Sequence, residues 1–167
     1  MTTTQATLHL LCGKIAAGKS TLSKQLGSTP GTVVISEDDW LASLFSDEMS
    51  SVSDYVRCSA KLRAGMGPHV VALLKAGTSV VLDFPANTVA NRAWMRGIFE
   101  AANVPHMLHH LDVPDALCKE RLQARNKGGD HAFAATDAQF ELVSRHFVPP
   151  SAEEGFNIVR YQADHGR

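Results

Sequence analysis

Residues 13–20 read Gly-Lys-Ile-Ala-Ala-Gly-Lys-Ser, a full match to G-x-x-x-x-G-K-[ST]. A loop of this kind turns successive backbone N–H groups inward at the positive end of a helix. Gly13, Lys14, Ala16, Ala17 and Gly18 are therefore expected to cradle phosphate oxygens. Lys19 would carry its charge to the β- and γ-phosphates, the Ser20 hydroxyl would ligate Mg²⁺, and Thr21 would continue the helix beside the nucleotide. The apolar run Ala6–Cys12 precedes the loop and a helical spacing follows it, the context such a loop requires for nucleoside triphosphate binding. The competing reading is a glycine-rich turn with no ligand.

Three further groups of residues would act on a bound triphosphate. Asp83 closes the run Ser79-Val80-Val81-Leu82, and a carboxylate at the carboxyl edge of a strand beside a phosphate loop reaches Mg²⁺. The same aspartate would otherwise cap the turn Phe84–Asn87. Glu37-Asp38-Asp39 follows a β-branched run, so these carboxylates come to the same edge; Asp38 is the expected proton acceptor from an attacking hydroxyl, with Asp39 second. Both would otherwise serve only as caps of the helix that begins near Trp40. Arg121 and Arg125, one helical turn apart, would fold over the nucleotide and neutralise the transferring phosphoryl group, or else form a solvated helix face. Lys127 and Arg145 are weaker candidates for that work.

The elements that position these residues alternate strand and helix. Strands are expected near residues 6–12, Thr32–Ser36, Thr78–Asp83, His106–Asp112 and Phe156–Tyr161. Helices are expected from about Lys19, over residues 37–46, from Asp54 to Lys75 with a kink or interruption at Gly65–Pro68, from Thr88 to Ala102, from Pro114 to Arg125, and from Thr136 to Phe147. Asn87 and Thr88 read as the cap of the fourth of these helices, and residues 126–135 as a mobile lid opened by Gly128-Gly129. This alternation calls for an α/β three-layer sandwich around a parallel sheet, with ligands at the carboxyl ends of the strands.

Bulk properties narrow the classes. At 167 residues the chain suits a single domain spanning 1–167, with tails at 1–5 and 162–167, and it needs no staple. Three widely spaced cysteines fit neither a disulfide framework nor a zinc site and suit a reducing, cytoplasmic location. No apolar run approaches the roughly 20 residues of a membrane helix, and the N-terminus lacks a signal pattern. A formal net charge of −1 disfavours a dedicated nucleic-acid binder. Asn126–Asp130 resembles a guanine-reading Asn-Lys-x-Asp, but the aspartate stands one residue late and the segment follows a helix, so it does not support GTP specificity. The eight histidines show no ligand spacing.

The phosphate loop, Ile35-Ser36-Glu37-Asp38, Val81-Leu82-Asp83 and Arg121-x-x-x-Arg125, in this order, give a chain that resembles the small P-loop kinases of the adenylate-kinase-like superfamily. Within it the chain is most similar to the AAA-type kinases related to chloramphenicol phosphotransferase, zeta-type toxins and polynucleotide kinase domains. The resemblance implies a P-loop NTPase sandwich with a five-stranded parallel sheet of order 2-3-1-4-5 and a short lid. It also implies ATP with Mg²⁺, an acceptor-activating carboxylate at Asp38 and a lid arginine near Arg125. Polynucleotide kinases carry an arginine three residues after the base, where Leu41 stands here. Trp40, Leu44, Phe45, Tyr55 and Phe84 would line an apolar acceptor pocket, or else belong to the core. The expectation is a kinase acting on a small-molecule hydroxyl, as monomer or homodimer. A polynucleotide or nucleotide kinase and a non-catalytic or slowly hydrolysing ATP-binding switch are the alternatives.

Overall fold

A computed structural model describes residues 5–128 and 144–162. Five strands, β1 (Leu8–Cys12), β2 (Thr32–Ser36), β3 (Ser79–Pro85), β4 (His106–Asp112) and β5 (Ile158–Gln162), alternate with helices α1 (Lys19–Gly27), α2 (Glu37–Phe45), α3 (Val52–Lys75), α4 (Val89–Ala102) and α5 (Asp115–Gly128). The sheet is parallel throughout, in the order β2-β3-β1-β4-β5. The expected 2-3-1-4-5 sheet is therefore the one the chain forms.

The central strands are apolar on both faces because helices cover both. Leu8, Leu10 and Cys12 of β1 point with Val80, Leu82 and Leu108 into the larger core, where α3 adds Leu62, Met66, Val70 and Leu74 and α4 adds Met95, Ile98 and Phe99. Leu11, Val81 and Leu111 face the other way, onto Leu22 of α1 and Cys118 and Leu122 of α5. These two layers hold the carboxyl ends of β1, β2 and β3 side by side, and the loops there carry the chemistry.

Several boundaries differ from the sequence expectation. Helix α3 starts at Val52, where Ser51 Oγ accepts from Asp54 N at 3.1 Å, and runs without interruption past Gly65–Pro68. Pro68 deprives the Ala64 carbonyl of its helical donor, but Ala64 lies on the exposed side, and the flanking glycines leave room for the ring. Gly67 earns its place by packing: a Cβ there would meet the Trp94 indole of α4 at 3.3 Å. Strand β3 continues beyond Asp83 to Pro85, and β5 starts at Ile158 rather than Phe156. Helix α5 continues through Asn126, Lys127 and Gly128, the first residues expected in the lid. Good helix formers precede them, and a glycine at the end of a helix closes it rather than breaking it earlier. Gln162 belongs to β5 and not to a tail. The rest of the expected lid, and the helix expected from Thr136, lie outside the described residues up to Ser144.

Candidate active site

The phosphate loop leaves β1 between two tight constraints. A Cβ on Gly13 would stand 3.2 Å from Ala17 Cβ and 3.4 Å from the Leu111 carbonyl, so a larger residue would crowd the loop against β4. Gly18, at φ 107°, sits as the residue before α1 in a left-handed conformation that glycine alone adopts freely. Between them Ala16 is held at φ 64°, in the region an L-residue reaches at a cost. The expected loop residues Gly13, Lys14, Ala16, Ala17 and Gly18 thus form one compact turn ahead of α1, with Ser20 and Thr21 exposed in its first helical turn.

Lys19 folds back into this turn. Its Nζ donates to the carbonyls of Gly13 at 2.6 Å and Lys14 at 2.8 Å. Burial pushes its amine below the ordinary lysine range, opposed first by Asp83 and further by the Cys12 and Cys118 thiols and Asp38. Lys14, by contrast, turns its amine away to pair with Asp115 at the start of α5 and lies over the Phe147 ring at 5.4 Å. Its contribution to the loop is through the backbone.

Asp83 lies within β3 rather than at its end. The β1–β3 register jumps from Leu10↔Leu82 to Leu11↔Pro85, so Asp83 and Phe84 occupy a bulge. The bulge keeps Asp83 opposite Ser36, the last residue of β2, while Phe84 is buried against Trp94 with ring centroids 5.6 Å apart. Burial raises the Asp83 carboxyl above the usual range; Lys19 draws it back, and Asp38 and Asp39 raise it further. Asp83 therefore stands in the field of Lys19, Asp38 and Asp39 across the ends of β2 and β3.

Asp38 and Asp39 stand in the first turn of α2, both exposed, and Ser36 caps the helix by accepting from Asp39 N at 3.3 Å. Capping is thus done by the serine, which leaves neither aspartate needed as the cap residue. Their neighbour Glu37 is only 2% exposed and accepts from the Tyr55 hydroxyl and from Ser59 Oγ at 2.9 Å. Burial raises the Glu37 carboxyl, and the two hydrogen bonds oppose this. This linkage fastens the first turn of α2 to α3 and so fixes where Asp38 stands. Sequence reasoning missed it, because Tyr55 and Ser59 show only helical spacing.

Of the residues expected to line an acceptor pocket, Phe84 is core and Phe45 packs against the core. Trp40, Leu44 and Tyr55 remain partly open to solvent, with Val52 and Val56 beside Tyr55 on α3. Leu41 is 1% exposed and turns inward.

Helix α5 brings Arg121 to the loop. Arg121 Nη1 donates to the Ala17 carbonyl at 3.4 Å. Arg125 is half-buried, and its Nε has no hydrogen-bond partner among the described residues. Arg145 and Lys127 show no ion pair among the described residues. Asn87, expected as a helix cap, is not one. Thr88 Oγ1 alone accepts from Asn91 N at 3.1 Å, and Asn87 instead pairs with Gly13. The buried Arg92 was likewise invisible in the sequence. It donates to the Ala86 and Val148 carbonyls and to both oxygens of Glu154.

For a divalent cation, no group of three His, Cys, Asp or Glu side chains gathers among the described residues. The oxygen donors that could hold Mg²⁺ together with the phosphates of a nucleotide are the Asp83 carboxylate and the exposed Ser20 hydroxyl. No helix among the described residues is long and apolar enough to cross a membrane, and Cys12, Cys58 and Cys118 are free and buried.

Comparison with known proteins agrees with this fold. A candidate kinase from Chloroflexus aurantiacus superposes with a TM-score of 0.74 at 21% identity, over 95% of this chain and 85% of that one. Kti12 of Chaetomium thermophilum, solved in complex with ADP-AlF3, superposes with a TM-score of 0.68 at 15% identity, over 95% and 89% of the two chains. The APS kinase CysC of Mycobacterium tuberculosis, solved with AMPPNP and APS, gives 0.63 at 19% identity, over 97% and 91%. No curated protein matches the chain. The family model for an AAA domain matches residues 8–150, from the first residue of β1 to beyond α5, and the chain belongs to this family of P-loop kinase-like domains.

Proposed function

We propose that the protein is an ATP-dependent phosphotransferase that moves the γ-phosphate to a hydroxyl of a small molecule. The observation that carries the reading is that Asp83, opposite Ser36 in the β2–β3 register, and Asp38, two residues beyond Ser36 in the first turn of α2, come to one edge of the sheet, where both act on the Lys19 amine of the phosphate loop. A switch that only binds nucleotide would need Lys19, Ser20 and Asp83. The carboxylate of Asp38, held in place through Glu37, is what a transferase adds.

In this reading the inward amides of residues 13–20 and the Lys19 amine bind the triphosphate, and Ser20 and Asp83 hold Mg²⁺. The ion would neutralise charge on the phosphate oxygens and orient them. Asp38 accepts the proton of the attacking hydroxyl. Arg121, which already donates to the Ala17 carbonyl, and Arg125, one turn further along α5, neutralise charge on the transferring group. The exposed side chains of Trp40, Leu44 and Tyr55 would offer the acceptor an apolar wall. The inward turn of Leu41 supports a small acceptor over a polynucleotide, since that position offers no charge to a strand.

The test is an ATP-consumption screen over antibiotics, sugars, nucleosides and 5′-hydroxyl oligonucleotides, run with wild-type protein and with Asp38→Asn. Turnover of a small alcohol that the variant loses supports the reading. Consumption that no acceptor stimulates would favour the switch.

A further inference from the structure

The Gly13 carbonyl receives two donors, Lys19 Nζ at 2.6 Å and Asn87 Nδ2 at 3.0 Å. In return Gly13 N donates to Asn87 Oδ1 at 3.0 Å. The Asn87 carboxamide therefore pairs with both backbone groups of Gly13, as a neighbouring strand would, just past the end of β1. The second carbonyl that Lys19 holds is provided for in the same way: Lys14 O accepts from Lys19 Nζ at 2.8 Å and from Ala17 N at 3.1 Å.

A triphosphate in the loop would draw the Lys19 amine off both carbonyls. Gly13 is buried, so a carbonyl that lost its only donor there would have no water to replace it, and the loss would weigh directly against binding. We propose that Asn87 is a positioning residue of the nucleotide site. Its amide keeps the Gly13 carbonyl bonded when Lys19 turns to the phosphates, as Ala17 N does for Lys14. The amine then exchanges partners without orphaning either loop carbonyl.

Asn87 is placed independently of any nucleotide. Its own carbonyl accepts from Val148 N at 2.8 Å, and the residue after it caps α4. Helix capping does not explain its side chain, since Thr88 does that work. The inference rests on the triphosphate reading of the loop, but its first test needs no nucleotide.

That test is a double-mutant cycle on the unfolding of nucleotide-free protein, using Asn87→Ala, Lys19→Ala and the two together. Each single variant leaves the Gly13 carbonyl one donor and the double variant leaves none. The combined loss of stability should therefore exceed the sum of the single losses. A double variant that fails to fold counts as such an excess only where the two single losses sum to less than the wild-type stability. Additive losses would overturn the proposal, because a residue that merely braces the turn would give them. If Asn87→Ala does not fold, Asn87→Leu keeps the shape without the bonds. The second arm titrates Mg·ATP. Folded Asn87→Ala should bind about tenfold to a hundredfold more weakly than wild type. Affinity within about twofold of a binding wild type would overturn the proposal alone. A wild type that does not bind ATP would overturn the triphosphate reading and this role with it.

Discussion

Lys19 and Ser20 act on the triphosphate itself, so Lys19→Ala and Ser20→Ala should each abolish Mg²⁺-dependent ATP binding while the fold survives. Calorimetric titration with circular dichroism checks both halves of that expectation. Asp38 and Asp83 lie within each other's field yet should fail differently. Asp38→Asn removes the proton acceptor and should lower turnover about 10²-fold or more at nearly unchanged ATP affinity. Asp83→Asn should instead raise the Mg²⁺ concentration needed for half-maximal ATP binding. If the two variants lose the same quantity, the division of labour between them is wrong. These residues could be named from the sequence because each sits within or next to a short local pattern: an eight-residue loop, an acid triplet after a strand, an aspartate after an apolar run. Asn87 and Arg92 carried no such pattern. Asn87 meets Gly13 across 74 residues, and Asn-Thr before a helix reads locally as a cap. Arg92 reads as a solvated helix residue until the fold buries it against Glu154.

At the scale of elements, α4 is tied to the segment after residue 144 by a charge that has no water around it. The Arg92 side chain is 0% exposed and fully engaged: Nε to Glu154 Oε1 at 2.8 Å, Nη2 to Glu154 Oε2 at 3.2 Å, and Nη1 to the Ala86 and Val148 carbonyls at 2.9 and 2.8 Å. Removing one member of such a pair leaves the other uncompensated, together with two carbonyls that lose their donor. Arg92→Leu should therefore destabilise the protein by about 3–5 kcal/mol. Glu154→Gln, which keeps acceptors in place and whose side chain is 17% exposed, should cost clearly less. Urea unfolding of both variants measures the difference, and equal losses would mean that the ion pair, rather than the carbonyl bonds, does the holding. The structure departs from the local sequence pattern at two places where tertiary support overrides it. Pro68 and its glycines were tolerated because α3 packs on Trp94 there. Strand β3 outran Asp83 because a bulge absorbed the two extra residues.

At the scale of the whole molecule, two distributions of charge make predictions. The first is a row of imidazoles across the sheet: His9 Nδ1 lies 3.0 Å from His109 Nε2, and His109 Nδ1 lies 2.8 Å from the Tyr161 hydroxyl. One proton between the two rings satisfies the contact, whereas protonating both sets two donors face to face. Burial, with His9 adding to it, depresses His109 to about 4, against 6.5 for a free imidazole. The unfolded chain thus takes up a proton that the folded chain refuses, so stability is fully present above pH 6.5 and is lost as pH falls from there towards 4. Within that window this group contributes a slope of about 1.4 kcal/mol per pH unit at most. His109→Gln, which can still donate and accept, should flatten the dependence of the unfolding midpoint between pH 6.5 and 5; an unchanged slope would assign the acid sensitivity elsewhere.

The second distribution concerns the acceptor. The chain sets 16 basic residues against 17 acidic ones. Five of the cations are already engaged: Lys14 with Asp115, Arg57 with Asp54 and Glu48, Arg92 with Glu154, Arg96 with Glu100 and Arg160 with Asp112. A polynucleotide draws most of its affinity from phosphates that meet Lys and Arg and release counterions, and it loses that affinity steeply with salt. A cation already paired within the chain must give up its partner before it can contribute, which reduces the net gain per contact. The position three residues beyond Asp38, where a strand-binding arginine would stand, holds a leucine turned into the core. Transfer to 5′-hydroxyl DNA or RNA should therefore be negligible, and any binding should vanish near physiological salt. Phosphate transfer from labelled ATP to a 5′-hydroxyl oligonucleotide, followed across a salt series, measures both. Efficient labelling that persists at physiological salt would make a polynucleotide the acceptor and overturn the small-molecule reading.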